Sequence, residues 1–530
     1  MRTPHKLFIA ICLLIAASLA QSAYSAKLPP SAVGTLTDYF DLLESGNIES
    51  AGYLWTEEDQ ERAHRFGIEY EGIPIKADCA SPVMQNLSVM RNYLKPPVKH
   101  WFQVDGDNFV RLEYSTIVNS TQVEYNYYTR KIGDYYWLTF PQDYIAREWP
   151  IIETKYFRVH YAPILEHYLN PALLDATDHF VEVMADSLDI DKDVLKSIAD
   201  KKIEYFYCDT DSTVKEITGH LTKGMLDLGS NDIISANFPH FHELTHLLVN
   251  IKLQHLPLYT LPVLREGIAV RYGGRWGKQA TALLDLGVYL YQEQMIQLDS
   301  ILTYNDFMQG SGADLSYPVA GLFVTYLMDR LGDNKFFELY RVASGNYEQV
   351  SRLSVDDIHD MLVSSTGNKD WLDLTLDFND YLKKHMAERA SAEPGAPDKG
   401  KVVIENGDYR VVQDKDWIAF EFTDKRPDPA KGNLVFGHIN LPDSGRSMLF
   451  DEQYRGELPY EGYRFGVRFD QYEAGLYDYV TNQLVAKYIW GITPSPDYFN
   501  QDKNTVMIRF RKNLMDGKLS DVEQCKLLPY

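Results

Sequence analysis

Cysteine is scarce in this sequence, with four residues in a chain of 530. Cys12 falls within an N-terminal segment that we expect to be removed, which leaves Cys79, Cys208 and Cys525. Three thiols form at most one internal disulfide, and their wide spacing does not allow a compact cysteine–zinc knuckle. A disulfide-stabilised scaffold is therefore excluded, and we expect Cys208 to be a buried thiol.

The chain also lacks a second apolar run of the roughly 20 residues that a membrane-spanning helix needs. The apolar run near the N-terminus, residues 7–17, is too short; it follows Arg2 and Lys6 and precedes small residues. The triplets at 20–22 and 23–25 both fit the cleavage pattern of a secretory signal peptide. We therefore predict a signal peptide over residues 1–25, export to the periplasm or the extracellular space, and no stable membrane insertion.

Positive charge is in short supply. The sequence has 52 lysines and arginines against 75 aspartates and glutamates, which gives a formal net charge of -23. A surface of this sign repels nucleic acids and anionic membranes, so we expect neither as a partner. Solubility explains the acidic balance better than attraction of cationic substrates does. The sequence does not determine the oligomeric state.

The length of the chain predicts several domains, because 530 residues exceed one ordinary hydrophobic core. Residues 26–152 begin with an amphipathic helix pattern at 36–43 and continue with alternating strand patterns at 110–114 and 123–128. One helical region followed by long antiparallel strands resembles the cone-shaped SnoaL-like α+β fold. We therefore expect such a cone as the first domain.

The rest of the chain divides at a linker. Residues 153–390 are dominated by helical patterns after an opening strand at 156–161. Residues 391–401 contain proline, glycine and alanine without periodicity, which is typical of a linker. Short strand patterns separated by turn residues fill 402–530 and predict a β-sandwich. The predicted fold class is thus α+β multidomain, with a mainly helical middle domain.

The motif that indicates chemistry is HExxH at residues 242–246. On a helix, positions i and i+4 lie on one face, so His242 and His246 can bind one metal ion. Glu243 then lies beside the open position of the metal, where it can accept a proton from a zinc-bound water. The alternative is a solvated helix whose two histidines are unrelated, since the motif also arises by chance.

A third ligand strengthens the zinc hypothesis. The metzincin pattern needs glycine and histidine where this chain has Val249 and Lys252, so that class is excluded. Glu266 lies 20 positions after His246 on a second helix pattern. The small residues beside it, Gly267 and Ala269, allow two helices to approach closely. The alternative for Glu266 is an ordinary surface glutamate.

These residues resemble the gluzincins, the thermolysin-like and peptidase MA-like zinc metallopeptidases. In that family an HExxH helix precedes a helix with EGxA, which here is Glu266-Gly267-Ile268-Ala269. The stretch at 317–327 is similar to the helix that follows the metal site. The resemblance covers about residues 155–340 and implies a zincin-like catalytic domain, one Zn²⁺ per chain and peptide-bond hydrolysis.

The chain departs from the family in two places. The exopeptidase signature Gly-x-Met-Glu-Asn is missing, which favours an endopeptidase over an aminopeptidase. Val270 stands where thermolysin-like enzymes have an aspartate that supports a zinc histidine, so that support must come from elsewhere. His240 is expected to face away from the metal. The strand pattern at 232–236 is a candidate edge strand for a peptide substrate, and the alternative is an ordinary internal strand.

The resulting hypothesis is a secreted zinc peptidase that acts on a peptide or protein. Glu243 is its base, and Tyr317, at the start of its helix pattern, is the candidate donor to the oxyanion. Core packing is the alternative role for Tyr317. An exported surface or glycan-binding protein with an inactive peptidase-like domain is the competing function. A zinc hydrolase for another amide is not distinguished by the sequence.

Overall fold

The structure is a computed structural model that mixes helices and sheets, as expected for an α+β chain. The predicted signal peptide and most of the predicted linker lie outside the described residues. Described are 31–85, 100–105, 108–118, 121–310, 313–391 and, with short gaps, 400–512 and 525–528.

The chain divides into two compact units. The first contains the described parts of Met1–Ile151 together with Val159–Ala162 and Ile203–Ala236. The second contains Ile152–Arg158, Pro163–Lys202 and the described parts of Asn237–Tyr530. The predicted domain boundaries stay predictions.

The helices of the described residues are numbered here in chain order. Short 3₁₀ segments lie at Lys76–Asp78 and Pro163–Tyr168, and a π-helical turn lies at Asp306–Gly310. The α-helices are α1 Ala32–Glu44, α2 Ile48–Gly52, α3 Glu57–His64, α4 Pro82–Gln85, α5 Pro141–Ile145, α6 Pro171–Ser187, α7 Lys192–Lys201, α8 Asp211–Thr218, α9 Phe241–Leu253, α10 Pro262–Gly273, α11 Ala280–Gln292, α12 Asp299–Leu302, α13 Ala313–Leu331, α14 Asp333–Val342, α15 Tyr347–Ser351, α16 Val355–Thr366 and α17 Trp371–Ser391.

The strands are numbered in the same way. They are β1 Glu69–Glu71, β2 His100–Asp105, β3 Phe109–Val118, β4 Thr121–Ile132, β5 Tyr135–Thr139, β6 Ile151–Glu153, β7 Phe157–Tyr161, β8 Ile203–Tyr207, β9 Gly224–Leu226, β10 Ile233–Ser235, β11 His255–Pro257, β12 Tyr259–Thr260, β13 Ser344–Gly345, β14 Lys401–Glu405, β15 Tyr409–Gln413, β16 Trp417–Phe422, β17 Asn433–His438, β18 Arg446–Leu449, β19 Gly456–Pro459, β20 Tyr463–Phe469, β21 Glu473–Asp478, β22 Gln483–Ile489, β23 Phe499–Asp502, β24 Thr505–Arg511 and β25 Cys525–Leu528.

The first unit contains an antiparallel sheet in the order β2-β3-β4-β5. Alternating residues of β3 and β4 turn an aromatic face towards α1, because side chains in a strand alternate between the two faces. Leu36 and Tyr39 of α1 are fully buried in the same core as Tyr127 and Leu138 of the sheet. A sheet with one face covered by a helix is the arrangement that the N-terminal pattern predicts.

Strand β10 also belongs to the first unit, and its position corrects one expectation. It pairs in parallel with β8 through Ile234 and Phe206, and antiparallel with β9 through Ile234 and Met225. Both of its backbone edges are therefore occupied. The prediction that this strand is a free edge for a peptide substrate is wrong, because a strand with two partners has no unpaired groups to offer.

The core of the second unit surrounds α9. Eleven positions of this helix are buried, and a helix that is buried on every side lies in the interior of a domain. Its first residue, Phe241, stacks on Phe180 of α6 with ring centroids 4.2 Å apart. The chain thereby places the polar residues of the HExxH motif in the interior, where each needs a partner.

Helix α10 approaches its neighbours through glycines. A Cβ added to Gly267 would lie 2.6 Å from the Ala320 carbonyl oxygen of α13, and one added to Gly321 would lie 2.4 Å from Val270 Cγ1. The backbones of α10 and α13 therefore pack too closely for a side chain at either glycine. The small residue at Gly267 thus serves the approach of α10 to α13, whereas the sequence had suggested the HExxH helix as the partner.

The C-terminal strands form two five-stranded antiparallel sheets with the orders β14-β15-β16-β24-β23 and β22-β21-β20-β17-β25. Elsewhere, Cys79 and Cys208 are free and buried, as expected for Cys208. Within the described residues, no helix combines the length and the apolar character needed to cross a membrane.

Candidate metal centre

Helices α9 and α10 bring the three predicted ligands together. His242 and His246 lie one turn apart on α9, and their ring centroids are 4.8 Å apart. Glu266 Oε2 of α10 lies 3.1 Å from His242 Nε2 and 3.4 Å from His246 Nε2. The three donor atoms all fall within 4.8 Å of one another, so this triad can hold a metal ion.

The backbone sets the protonation of His242. Its Nδ1 lies 2.8 Å from the carbonyl oxygen of Gly274. A carbonyl only accepts hydrogen bonds, so Nδ1 carries the proton and Nε2 keeps a lone pair for a metal. Burial and then the Arg275 cation lower the pKa of His242, which favours this neutral form. Gly274 thus provides the support that Val270 cannot.

The triad fits a metal by its own chemistry. With Nδ1 protonated, His242 Nε2 and Glu266 Oε2 are both acceptors 3.1 Å apart, and each has a lone pair that a metal ion could accept. A tetrahedral zinc site with bonds of about 2.0–2.1 Å has donor–donor edges of about 3.3–3.4 Å. The distances of 3.1 and 3.4 Å to Oε2 lie close to those edges.

Arg265 fixes the other oxygen of Glu266. Its Nε and Nη2 donate to Oε1 at 3.0 and 2.8 Å, which leaves Oε2 for the histidines. Burial raises the pKa of Glu266, but the Arg265 cation and the two histidines outweigh burial and hold the pKa well below its usual value. The carboxyl is therefore ionised, as a metal ligand must be.

Glu243 is buried one residue from the first histidine. Burial raises the pKa of this carboxyl, and His240, His246 and His242 together lower it below its usual value. His240 Nε2 lies 4.0 Å from Glu243 Oε1. Among the described residues the metal group contains only His242, His246 and Glu266, so His240 is outside it, as expected. Burial lowers the pKa of His240 to about 4.

Tyr317 lies beside the same histidine. Its ring centroid is 6.0 Å from that of His242, and burial raises the pKa of its hydroxyl. The ring also contacts Phe307 at 5.2 Å and Trp276 at 5.8 Å. The structure thus brings Tyr317 to the site and also packs it among aromatic rings. Its predicted role as an oxyanion donor stays a prediction.

Sequence reasoning missed two arginines. Arg265 adjoins a predicted ligand, and only the structure shows that its side chain turns back to hold that ligand. Arg275 Nη1 lies 2.9 Å from His242 Nε2. One pattern pointed to Arg275: the turn sequence Gly274-Arg275-Trp276-Gly277 directly follows the helix that carries Glu266.

Comparisons with known proteins do not add to this description. No family model, no curated protein and no solved structure matches the chain. The chemistry of the site is therefore derived from its own residues.

Proposed function

We propose that this chain is a secreted zinc-dependent peptidase that cleaves peptide bonds, as an endopeptidase rather than an aminopeptidase. The observation that supports it is the convergence of two imidazole nitrogens on one carboxylate oxygen. Glu266 Oε2 lies 3.1 Å from His242 Nε2 and 3.4 Å from His246 Nε2. The donor set of two histidines and one glutamate is the set that catalytic zinc takes in peptidases. Such a site keeps one position open.

Zinc is the metal that these donors favour. Imidazole suits zinc, and the spacing suits a small tetrahedral ion rather than calcium or magnesium, which take six or more oxygens. The metal would be held by His242, His246 and Glu266. When bound, it supplies a Lewis acid that polarises a carbonyl and lowers the pKa of water.

Glu243 is the base of the proposed reaction. Its carboxyl is ionised at neutral pH, since its pKa lies below the usual value, so it can accept a proton from the attacking water. The water oxygen forms a bond to the carbonyl carbon while Glu243 takes that proton. Glu243 then gives the proton to the amine nitrogen as the carbon–nitrogen bond breaks.

The finer assignments belong to the same proposal. We assign the N-terminal part to a SnoaL-like cone, the middle to a zincin-like domain and the C-terminal sheets to a β-sandwich. The four-stranded sheet beside α1 supports the first, and the two five-stranded sheets support the last. We place the protein in the periplasm or outside the cell, with a peptide or protein as substrate.

The test uses the purified full chain. We expect about one zinc per chain by metal analysis and hydrolysis of casein that a chelator abolishes. Glu243→Gln should keep the metal and lose activity by at least about 100-fold, because it removes the proton acceptor. Glu293→Gln, an exposed glutamate at the end of α11, is the matched control and should stay active. A fully active Glu243→Gln variant, or a wild type that binds no metal, refutes the proposal.

The competing function, a glycan-binding protein with an inactive peptidase-like domain, has one supporting observation. A cleft of about 510 Å³ in the second unit combines two aromatic rings and several neutral polar side chains with three aliphatic residues and the charged Asp299 and Lys383. Its lining includes Trp371, Tyr291, Gln292, Gln297, Thr375 and Asn379. The ring of Trp417, in the C-terminal strands, is buried and is not available to a sugar.

This alternative predicts that chitotriose or maltotriose quenches tryptophan fluorescence and that Trp371→Ala removes the effect. Because the His359 ring stacks on one face of Trp371 at 4.0 Å, only the other face and the edges can border the cleft. Casein hydrolysis by the zinc-loaded wild type excludes an inactive peptidase-like domain.

A further inference from the structure

A tight turn after α10 lies over the metal triad. Gly274 has φ +66°, and a Cβ there would lie 2.0 Å from the carbonyl oxygen of Lys278. The backbone N–H of Arg275 donates to Lys278 O at 3.0 Å, and the Lys278 N–H donates to Arg275 O at 2.9 Å. The turn is thus closed on itself, and only glycine fits at its first position.

The same turn is bound to strand β22. The Leu484 N–H donates to Gly277 O at 2.7 Å, and the Gln279 N–H donates to Leu484 O at 2.9 Å. The base from which Arg275 projects is therefore fixed on both sides. A functional side chain on such a base keeps its direction, which is what a preorganised site needs.

The guanidinium of Arg275 is held against aromatic rings at the metal triad. Its Cζ lies 3.5 Å from the centroid of the Tyr317 ring and 5.3 Å from that of Trp276. Its Nη1 lies 2.9 Å from His242 Nε2 and 3.8 Å from Glu266 Oε2. The side chain is 22% exposed, so the cation is largely shielded from water. Electrostatic interactions of a shielded charge are stronger than those of a charge in water.

A metal cation and the Arg275 guanidinium cannot both occupy the position beside His242 Nε2. A divalent cation bound by the triad takes the lone pair of His242 Nε2 and repels the guanidinium. The two Nη1 distances, 2.9 and 3.8 Å, lie on either side of the tetrahedral edge of about 3.3–3.4 Å. Nη1 therefore lies next to two of the three donor atoms, and a substrate oxygen that approached a bound cation from this side would come within its reach.

We propose that Arg275 is a further catalytic residue that stabilises the oxyanion, an inference that rests on the proposed peptidase function. As water adds to the carbonyl carbon and Glu243 takes its proton, the π electrons of the carbonyl move onto its oxygen. Arg275 donates an N–H to that oxygen. When the carbon–nitrogen bond breaks, the electrons return, the carbonyl reforms and the amine nitrogen takes the proton from Glu243.

This role predicts that loss of Arg275 changes Zn²⁺ affinity and kcat in opposite directions. Arg275→Met removes a cation that competes for His242 Nε2, so Zn²⁺ affinity should rise, by at least about tenfold. The same change removes a donor to the oxyanion, so kcat should fall by about 10²–10³-fold with KM little changed. A merely structural arginine would lower both Zn²⁺ affinity and kcat when lost.

The experiment compares wild type, Arg275→Met and Arg275→Lys by chelator competition for Zn²⁺ and by casein hydrolysis. Arg271→Met is the matched control, because Arg271 lies on α10 and pairs with Asp329 and the Thr325 carbonyl. We expect the control to keep wild-type Zn²⁺ affinity. Arg275→Lys should keep part of the repulsion and part of kcat, since lysine carries the charge without the planar fork.

A second readout does not depend on catalysis. Inorganic phosphate, a tetrahedral oxyanion, is titrated onto each Zn²⁺-loaded protein, and Arg275→Met should bind it at least about tenfold more weakly. If wild type binds Zn²⁺ but cleaves nothing, the peptidase proposal fails and the phosphate result alone decides on Arg275. Unchanged Zn²⁺ and phosphate affinities in Arg275→Met, or a fall in both Zn²⁺ affinity and kcat, overturn the inference.

Discussion

Gly273 is where α10 meets the first turn of the HExxH helix. A Cβ added to it would lie 2.4 Å from the Phe241 carbonyl oxygen and 2.6 Å from the backbone nitrogen of His242. Real Cβ atoms keep at least 3.0 Å, so Gly273→Ala needs a separation of 3.0 minus 2.4, or 0.6 Å. The opposing atoms are backbone, and no side-chain rotation relieves the contact. The turn that carries His242 must therefore move away from α10.

The size of this movement decides which property of the variant changes most. A metal site tolerates about 0.2 Å in its bond lengths, so a 0.6 Å displacement disrupts it. We expect Zn²⁺ affinity to fall by about 10–100-fold, the range found when the support of a ligand is lost. Overpacking costs about 1–3 kcal/mol, but alanine in a helix regains about 1 kcal/mol, so the net loss of stability is smaller.

The assay is chelator competition for Zn²⁺ on the metal-free protein, with circular dichroism to verify folding. Gly52→Ala is the control, because Gly52 is also a helical glycine and has no atom within 4 Å of its added Cβ. It should keep wild-type Zn²⁺ affinity and gain about 0.5–1 kcal/mol of stability. A folded Gly273→Ala variant with wild-type Zn²⁺ affinity would show that the contact of the two helices does not position His242.

The other predictions concern stability. Burial raises the pKa of Asp78 from an ordinary 3.8 to about 7 in the folded state. The folded state therefore binds the carboxyl proton more tightly than the unfolded state does, and the free energy of unfolding falls as the pH rises from about 4 to about 7. Asp78→Asn should remove that pH dependence and be more stable than wild type above pH 7 by about 2–4 kcal/mol in urea titrations. Arg62→Met leaves Asp59 and Asp143 without the cation that lies 2.8 and 2.7 Å away, and should cost about 3–5 kcal/mol by urea titration at pH 7. Phe378→Ala removes a fully buried ring and should cost about 3–5 kcal/mol in thermal denaturation.

Each of these variants has a control on the surface. Asp134→Asn changes an exposed carboxyl and should leave the pH dependence as it is. Arg352→Met removes an exposed arginine that pairs with an exposed glutamate, so its effect should stay below about 1 kcal/mol. Leu372→Ala truncates a leucine that is 66% exposed and should be nearly neutral. Equal effects in a variant and its control would contradict the assigned cause.

The helices of the metal site could be predicted because their pattern is local. The sequence placed the HExxH motif and Glu266 on two successive helix patterns, and the structure has helices there at Phe241–Leu253 and Pro262–Gly273. Fixed spacing on a helix brings two histidines to one face whatever surrounds them. Glu266 could be predicted for a similar reason. It follows His246 by 20 positions, and a short turn between two helices makes them pack side by side.

The support of His242 could not be predicted. The sequence showed only that Val270 cannot give it. The group that does is the carbonyl of Gly274, and every residue carries a carbonyl, so the sequence does not single one out. Arg275 was missed for a related reason: it lies in a turn without periodicity, and its direction depends on pairing with a strand that lies about 200 residues away in sequence.

The internal position of β10 could have been favoured from its composition. Ile233 and Ile234 are consecutive apolar residues, and such runs are more typical of strands covered on both faces than of exposed edges. The start of α13 was predicted at 317, whereas the helix begins at Ala313 with Pro318 inside it. Proline is most common in the first turn of a helix, which placed the predicted start too late.

The double hydrogen bond from Arg265 limits how Glu266 can coordinate. With Oε1 occupied by two N–H groups, Glu266 offers a metal one oxygen and acts as a monodentate ligand. A carboxylate that chelated through both oxygens would fill the coordination sphere and exclude an incoming substrate. Arg265 would thus help a metal held by the triad to keep one coordination site free for substrate, without contacting the ion itself.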